Sequence, residues 1–360
     1  MEEKILMKRS IYIASTEELA GKSIVTISLA LKAKELGRKI GYFKPIGLAS
    51  SLSGEGNIID EDVETIKEIL GLEEEIELLC PIILGKSEFL EEFTKVNIQD
   101  YAKKIAKSYE KVSEGKDIML IEGPNTLSTG AFLNLPVPKL VVDFSSKVLL
   151  VAQFRDDSVV DELIQARDYC IKWGVSPFGV LLNRVPSDKM AKAEHVIKSC
   201  LEAQNLKVLG VIPEDRMLSA LTVREIYETV GGKILAGKDG MDRIVQTFLI
   251  GAMTMESATK YLRMATDKLV ITGGDRTDII FAALETGTSA LILTGNLYPS
   301  VKILPRADDL AVPIILVPHD TFTTLQLIQK IVGKIKPGDK MRIDIAKRLF
   351  EENVDWKQIL

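Results

Sequence analysis

The sequence predicts an α/β protein whose larger part is a parallel sheet with helices on both of its faces. Short runs of apolar residues alternate with amphipathic stretches along the first two thirds of the chain, which is the order typical of parallel strands and their crossover helices. These runs are apolar throughout, as expected for strands that are covered on both faces. The two observations together indicate the doubly wound α/β class.

Six strands and five helices are predicted in this larger part, in alternating order. The first strand, 10–14, carries the apolar residues of SIYIA, and the first helix, 23–36, follows a glycine and a lysine. The remaining strands are predicted at 39–43, 117–121, 147–151, 178–182 and 208–212. The remaining helices are predicted at 62–70, 98–113, 158–173 and 190–204, where apolar residues recur at helical spacing.

A cluster of glycines indicates a domain boundary. Residues 231–240, GGKILAGKDG, contain four of the 25 glycines of the chain, and such clusters mark turns and linkers. We place the boundary between Leu235 and Met241, which gives a first domain of residues 1–235 and a second of residues 241–360. In the second domain, KLVITGG, SALILTG and PIILVPHD are predicted strands, and RTDIIFAALETG and FTTLQLIQKIV are predicted helices. The second domain is therefore expected to be a smaller α/β unit.

Composition argues against several classes of function. The formal net charge of −5 argues against nucleic acid or anionic lipid as a partner. The three cysteines, Cys80, Cys170 and Cys200, lie far apart, so neither a zinc site nor a disulfide framework is expected, and a reducing cytoplasm fits best. We see no signal peptide before the first strand. Because nowhere do about 18 apolar residues run together, we also expect no membrane span.

Residues 16–23, TEELAGKS, fit a phosphate-binding loop at every position but the first. The usual pattern is G-x-x-x-x-G-K-[ST]; Gly21, Lys22 and Ser23 match it, whereas Thr16 stands in the place of the first glycine. In such a loop, backbone N–H groups at a helix N-terminus bind phosphate, the lysine adds a positive charge and the hydroxyl is a magnesium ligand. The strand and helix predicted on either side favour this interpretation over a glycine that merely allows a tight turn.

Three acidic residues and a second lysine are candidates for the same site. Glu122 ends the predicted strand of DIMLIEGP, at the sheet edge where magnesium would lie beside nucleotide phosphates; the alternative is a charged strand end in water. Lys44, in GYFKPIG, follows another strand at that edge and is either a ligand for a second anion or transferred phosphate, or a solvated residue. Asp60 and Asp62 are candidate further magnesium ligands, although Asp60 is equally explained as a helix N-cap.

A longer set of motifs carries a family resemblance. YIASTEELAGKS, GRKIGYFKPIG, IDEDVETIKEILGL, IMLIEGPN, LLNRVP and VLGVIPED together resemble the dethiobiotin-synthetase-like domain at the N-terminus of long bacterial phosphate acetyltransferases. That domain belongs to the P-loop superfamily of dethiobiotin synthetase and cobyrinic acid a,c-diamide synthase. The resemblance implies a P-loop NTPase-like sheet, ATP and Mg²⁺ as cofactors, and a loop in which a threonine such as Thr16 replaces the first glycine. The chain has Ser15 where dethiobiotin synthetases place a glycine.

The resemblance also implies roles for individual residues, which are carried over by motif. Phosphate would be held by Gly21, Lys22 and Ser23, magnesium by Glu122, and the adenine base would face Asn183; Lys44 would lie near an acceptor substrate. Lys22 and Lys44 are accordingly the candidate catalytic residues. From the residues alone, Asn183 reads as a strand-end turn residue.

The second domain resembles the DRTGG domain that follows the ATPase-like domain in the same long acetyltransferases. The resemblance rests on VITGGDRTDIIFAALETG and continues through VPHDTFTTLQLI to the end of the chain. Gly273 and Gly274 form a turn between a strand and a helix, which either accepts an anion or is an ordinary loop capped by Asp275 or Thr277. His319 and Asp320 end another strand and make only a thin case for catalysis.

Three functions are compatible with these observations. The first is an ATP/Mg-binding regulatory or sensor protein, in which the DRTGG domain senses a small-molecule effector. The second is an ATPase or ATP-dependent ligase like dethiobiotin synthetase, and the third an interaction module with a vestigial nucleotide site. The resemblance places the acetyltransferase domain after the DRTGG domain, where this chain ends, so we do not expect the chain to transfer acetyl groups by itself. It also implies a homo-oligomer, which we expect to be a dimer.

Overall fold

The computed structural model describes residues 9–49, 51–52, 58–85, 90 and 98–360. The chain divides into two compact units. Unit 1 runs to Glu214 and also includes Ile335–Leu360, and unit 2 comprises Asp215–Lys334. Each unit has its own sheet and its own apolar core.

Unit 1 is built on a six-stranded, fully parallel sheet. The strands described in this unit are β1 (Arg9–Ser15), β2 (Ile40–Phe43), β3 (Ile46–Leu48), β4 (Ser51–Leu52), β5 (Ile58–Ile59), β6 (Ile82–Leu84), β7 (Ile118–Glu122), β8 (Lys147–Gln153), β9 (Gly179–Val185) and β10 (Val208–Pro213). The main sheet has the order β10-β9-β8-β1-β7-β2. Short ribbons are formed by β3 with β6 and by β4 with β5. The carboxyl ends of β1 and β7 are therefore neighbours at the centre of the sheet.

Helices cover both faces of this sheet and bury its strands. The α-helices described in unit 1 are Lys22–Glu35, Glu61–Leu70, Ile76–Leu79, Ile98–Ser113, Val137–Asp143, Val159–Lys172, Met190–Lys192, Lys198–Ala203, Lys340–Asn353 and Trp356–Ile359. A π-helical turn at Ala193–Ile197 interrupts the helix predicted at 190–204. The strands β2 and β7 are buried at every position, as expected for apolar strands covered on both faces, and β7 ends in the buried Glu122. The predicted fold class is confirmed, and each of the six predicted strands overlaps a strand of the sheet.

Unit 2 contains a smaller mixed sheet. Its strands are β11 (Leu221–Thr222), β12 (Lys233–Ala236), β13 (Ile244–Val245), β14 (Thr247–Ile250), β15 (Lys268–Gly273), β16 (Thr288–Thr294) and β17 (Ile314–Leu316). Five of them form a sheet of order β12-β17-β16-β15-β14, in which only β12 is antiparallel to its neighbour. The α-helices of this unit are Arg216–Ser219, Val223–Val230, Met255–Met264, Thr277–Leu284, Ile303–Asp309 and Thr321–Gln329. Apolar clusters lie on both faces of the sheet.

The structure divides the chain earlier than the glycine cluster suggests. The run GGKILAGKDG is not a linker, because its residues Lys233–Ala236 form β12 and pair with β17. Its glycines allow close approach to neighbouring backbone. A Cβ at Gly232 would lie 2.2 Å from the carbonyl oxygen of Leu316, and one at Gly237 would lie 2.1 Å from that of Val312. Residues 215–235 therefore belong to unit 2, although the sequence places them in the first domain.

The last 26 residues belong to unit 1, whereas the sequence places them in the second domain. The helix Lys340–Asn353 packs on the helix Lys22–Glu35 and on β10. Lys32 pairs with Glu351 at 3.0 Å between Nζ and Oε1, and its ammonium lies 4.8 Å from the ring centroid of Trp356. The turn sequence KPGDK, residues 336–340, therefore lies at the start of the last segment of unit 1 and not inside unit 2.

Two further features concern the described residues only. None of the described helices is long and apolar enough to cross a membrane. All three cysteines are free thiols; Cys80 and Cys170 are buried and Cys200 is exposed.

Candidate functional site

The loop between β1 and the first helix has the conformation of a turn at a helix N-terminus. The helix begins at Lys22, and Gly21 before it has a left-handed backbone with φ 94°. A Cβ at Gly21 would lie 2.1 Å from Nδ2 of Asn183, so only glycine fits there without movement. Leu19, two residues earlier, is also left-handed with φ 60°. The loop is thus held in a conformation that a leucine adopts only at a cost in free energy.

The Lys22 side chain lies inside this loop. Its Nζ donates a hydrogen bond of 2.7 Å to Oγ of Ser15, the last residue of β1. Burial lowers the pKa of Lys22 to about 8; Glu122 nearby raises this pKa, and Lys44 lowers it further. Ion pairs between described residues do not include Lys22. Its ammonium therefore has a neutral partner and a charge that is not locally compensated by direct contact.

Glu122 is placed at the end of β7, beside β1, and is fully buried. Its Oε1 accepts a hydrogen bond of 3.3 Å from the Ser23 hydroxyl and lies 3.4 Å from Nζ of Lys44. Its Oε2 is buried without a hydrogen-bond partner among the described residues. Burial raises the pKa of Glu122, although Lys44 opposes the shift. A buried carboxylate oxygen without a donor is costly in free energy, and a cation or a water molecule beside it would remove that cost.

Lys44 is buried among carboxylates and is not a solvated strand end. Its Nζ lies 2.9 Å from Oδ2 of Asp60 and 3.5 Å from Oδ2 of Asp62, in addition to its contact with Glu122. Burial alone lowers the pKa of Lys44, but the three carboxylates outweigh it, so that this pKa is raised well above its usual value. Lys44 is therefore charged, and its charge is already compensated by acids.

Asp60 is both a helix cap and the centre of this ion-pair network. Its side chain accepts a hydrogen bond from the backbone N–H of Asp62, as an N-cap does, and another of 2.8 Å from the N–H of Leu48. Lys44 bonds the same carboxylate at 3.0 Å. Among the described residues, no group of three or more His, Cys, Asp or Glu side chains is arranged to hold a metal ion as it stands.

Asn183 lies against the loop, and its side chain is committed to the loop backbone. Its Nδ2 donates a hydrogen bond of 2.8 Å to the carbonyl oxygen of Ala20, and the residue is only 5% exposed. In this structure Asn183 therefore fixes the loop, whereas the resemblance implies a contact with a base. Thr16, in the place of the first glycine, has a buried hydroxyl oxygen without a partner among the described residues.

Sequence reasoning missed two contacts of the loop. The sequence marks Ser15 only as the residue at a position where related loops have glycine. In the structure, its hydroxyl accepts a hydrogen bond from Lys22 and donates one of 2.7 Å to the carbonyl oxygen of Glu17. Glu17 in turn forms an ion pair with Arg155, which follows β8. No spacing pattern signals the pair of Glu17 with Arg155, because these residues meet only when β1 and β8 are adjacent.

The glycine turn of unit 2 is packed against backbone instead of facing an open site. A Cβ at Gly274 would lie 1.7 Å from the carbonyl oxygen of Leu297. The helix that follows has no side-chain cap, so Asp275 and Thr277 do not cap it as expected. Arg276 instead donates a hydrogen bond of 2.7 Å to the carbonyl oxygen of Met253. Asp320 is an N-cap, accepting from the N–H of Thr323 at 2.8 Å.

Comparisons with known proteins divide the chain close to the boundary between unit 1 and unit 2. The AAA domain family matches residues 9–222 and the DRTGG domain family matches residues 225–331. The phosphate acetyltransferase of Nitratidesulfovibrio vulgaris is 26% identical over 372 residues, covering 98% of this chain and 51% of that protein. The chain spans about half the length of the phosphate acetyltransferases it matches. The resemblance stated from the motifs is therefore confirmed in both of its parts.

Two solved structures are similar at low identity. The CBS and DRTGG domains of the regulatory region of a Clostridium perfringens pyrophosphatase, complexed with the activator diadenosine tetraphosphate, are 22% identical; they cover 48% of this chain and 86% of theirs, with a TM-score of 0.30. The septum site-determining protein MinD of Pyrococcus horikoshii OT3, complexed with Mg-ADP, is 19% identical, with 59% and 84% covered and a TM-score of 0.37.

Proposed function

The chain belongs to the AAA domain family, and from this we propose that it binds ATP with Mg²⁺ at the loop 15–23 and acts as a regulatory or sensor protein. One observation carries the proposal: the loop lysine, the following serine and a buried glutamate meet at the carboxyl ends of β1 and β7. Ligands of open α/β sheets bind at this edge.

Lys22 would bind the phosphates. Its ammonium now bonds the Ser15 hydroxyl, a neutral acceptor, whereas a phosphate oxygen carries a negative charge that also attracts the ammonium. A phosphate oxygen would therefore compete well with Ser15 for the ammonium. The N-terminus of the helix Lys22–Glu35 supplies further backbone donors for an anion.

Ser23 and Glu122 fit the ligand set that magnesium requires in such a site. Mg²⁺ is commonly bound through one or two protein oxygens together with substrate phosphates and water. The Ser23 hydroxyl and the Glu122 carboxylate are 3.3 Å apart, and Oε2 of Glu122 has no partner among the described residues. When bound, the metal would neutralise phosphate charge. We propose Asp62, beside Lys44, as a further ligand.

Two observations favour binding and regulation over a ligase reaction. Lys44, the candidate residue for contact with an acceptor substrate, is paired with Asp60, Asp62 and Glu122, so an acidic acceptor would have to compete with three carboxylates for its ammonium. In unit 2, the buried hydroxyls of Thr288 and Ser289 donate to backbone carbonyl oxygens, which leaves neither of these protons for an acid–base partner. We propose that unit 2, as a DRTGG domain, senses a small-molecule effector and that the protein forms a homodimer.

Calorimetry with ATP and Mg²⁺ tests this function. Wild type is expected to bind, and Lys22→Ala to lose a charge-assisted contact of about 1.5–3 kcal/mol, which is more than tenfold in affinity. Lys268→Met is the matched control, since Lys268 is a buried lysine of unit 2 that bonds the carbonyl oxygen of Ala265. Equal affinity of wild type and Lys22→Ala, or no binding of ATP, ADP or GTP by wild type, would contradict the proposal. Steady phosphate release with an acceptor would favour the ligase instead.

A further inference from the structure

The carboxylates of the site surround an ammonium at the position where a metal would be expected. Nζ of Lys44 lies 2.9 Å from Asp60, 3.5 Å from Asp62 and 3.4 Å from Glu122, and its side chain is 5% exposed. These three acids are called the carboxylate cage below. Two of these acids, Asp60 and Glu122, are buried with the ammonium, and two buried carboxylates around one ammonium leave an excess of negative charge that is costly unless a further cation compensates it.

The cage is held in position by contacts that do not involve Lys44. Asp60 is fixed by the backbone N–H groups of Leu48 and Asp62. Glu122 ends a central strand and accepts from the Ser23 hydroxyl. Removal of the ammonium would therefore leave most of the cage in place, with its oxygens directed at the vacated position.

The distances explain why the cage does not now present a metal site. Mg²⁺ requires oxygens at about 2.0–2.1 Å, and Ca²⁺ at about 2.3–2.6 Å. The ammonium of Lys44 keeps the cage oxygens at 2.9–3.5 Å from its centre. It also occupies the space and cancels part of the charge that would attract a divalent cation.

We propose that the Lys44 ammonium is the resident cation of the carboxylate cage and keeps divalent metal out of it until a nucleotide binds. The part of this proposal that concerns nucleotide binding rests on the proposed function. A polyphosphate at Lys22 would place negative charge close to Lys44, since Ser23, the residue after Lys22, bonds the same Oε1 of Glu122 that Lys44 contacts. The phosphates would then give the Lys44 ammonium an alternative partner, and metal would enter the cage together with the nucleotide.

A metal titration without nucleotide tests the first part. Mg²⁺ is titrated by calorimetry into wild type, Lys44→Met and Lys268→Met. Lys44→Met is expected to bind Mg²⁺ at least about tenfold more tightly than wild type, because affinity follows the charge of the ligands, and loss of the ammonium leaves that charge uncompensated. Lys268→Met is the matched control: Lys268 is a buried lysine of unit 2 that bonds the carbonyl oxygen of Ala265, and its loss should leave Mg²⁺ binding as weak as in wild type.

A second measurement deals with the stability of the variant. Thermal unfolding of Lys44→Met is followed with and without Mg²⁺, and in the double variant Lys44→Met, Asp62→Asn, which carries one acid less. A melting temperature that rises with Mg²⁺ only where Lys44 is absent supports the proposal. A folded Lys44→Met that binds no Mg²⁺, a wild type that binds Mg²⁺ alone equally tightly, or variants that Mg²⁺ does not restore would each overturn it.

The experiment separates this inference from the proposed function. Its metal arm contains no nucleotide, so its result stands even if wild type binds no ATP. If wild type binds ATP but also takes up Mg²⁺ in its absence, the proposed function stands and the role of Lys44 is refuted.

Discussion

The turn before the first helix of unit 1 and the turn after β15 in unit 2 follow the same pattern. Each comes at the carboxyl end of a buried parallel strand, contains glycine and leads into a helix. Their surroundings differ. Gly21 leaves room for the amide of Asn183, a polar side chain, whereas Gly274 leaves room for the backbone carbonyl of Leu297. Glycine therefore serves a loop that faces a polar site in unit 1 and the packing of two backbone segments in unit 2.

The side chains at these two sheet edges also differ, because ionisable groups lie at the edge in unit 1 and neutral hydroxyls at the edge in unit 2. The edge of unit 1 buries Lys22, Lys44 and Glu122 within one network. The edge of unit 2 carries threonine hydroxyls that bond each other or backbone, as Thr294 does with Thr321 and with the carbonyl oxygen of Thr272. A strand–glycine–helix pattern thus indicates an anion site only where ionisable side chains converge on it.

Adding a methyl group at each turn is the most direct test of the difference between Gly21 and Gly274. Gly21→Ala would add a Cβ 2.1 Å from Asn183 at a φ of 94°, and Gly274→Ala one 1.7 Å from Leu297. Strain of this kind costs on the order of 1–3 kcal/mol. We expect both variants to lose stability in urea unfolding. Only Gly21→Ala is expected to lose ATP affinity, by more than about tenfold, since only its loop is the proposed phosphate site.

Gly71→Ala is the control for backbone strain alone. Gly71 is left-handed with φ 59°, but a Cβ there would meet none of the described residues within 4 Å. Gly71→Ala should lower the unfolding free energy by about 1–2 kcal/mol, the cost of a left-handed backbone, and leave ATP affinity unchanged. Loss of ATP affinity in Gly274→Ala would refute the distinction drawn between the two turns.

The pH dependence of ATP binding tests the difference between two buried lysines, Lys22 in unit 1 and Lys268 in unit 2. The pKa of Lys22 is lowered by burial to about 8, and bound phosphate would raise it again because phosphate stabilises the charged form. Above about pH 8 the free protein must take up a proton to bind ATP, so affinity should fall as pH rises, by up to about tenfold per unit. Calorimetry in two buffers of different ionisation enthalpy measures that uptake.

The lowered pKa of Lys22 also predicts a change in stability with pH, in the direction opposite to the change in ATP affinity. Because the pKa of Lys22 in the folded protein is below 10.5, the ordinary value of a lysine, the unfolded chain binds more protons between about pH 8 and pH 10.5. The contribution of Lys22 to the unfolding free energy should therefore rise with pH through this window. Lys268→Met should retain both effects, whereas Lys22→Met should lack the proton uptake. Proton uptake that survives in Lys22→Met would assign the effect to another group.

The sequence predicted the sheet, the phosphate loop and the charged strand ends because each follows from a local pattern. Apolar runs require buried strands, and Gly21 with Lys22 follows one of them. It could not predict that Lys44 is enclosed by acids, since Asp60 and Asp62 reach it only through the turn of β3 and the helix that follows β5. It misplaced the domain boundary because a glycine that allows close packing has the same signature as one in a linker.

Asn183 gives the smallest and most discriminating prediction. Its amide bonds the carbonyl oxygen of Ala20 beside Gly21, so Asn183→Ala should loosen the loop and weaken ATP binding by about 0.5–1.5 kcal/mol, the usual net value of one hydrogen bond. If the amide acts by holding the loop, inorganic tripolyphosphate should lose the same factor in affinity as ATP, because the loop binds the phosphates of both. If the amide instead contacts the base, as the family resemblance implies, ATP alone should bind more weakly. The ratio of the two affinities, measured in wild type and variant under the same conditions, therefore decides between a residue that shapes the anion site and one that reads the nucleotide.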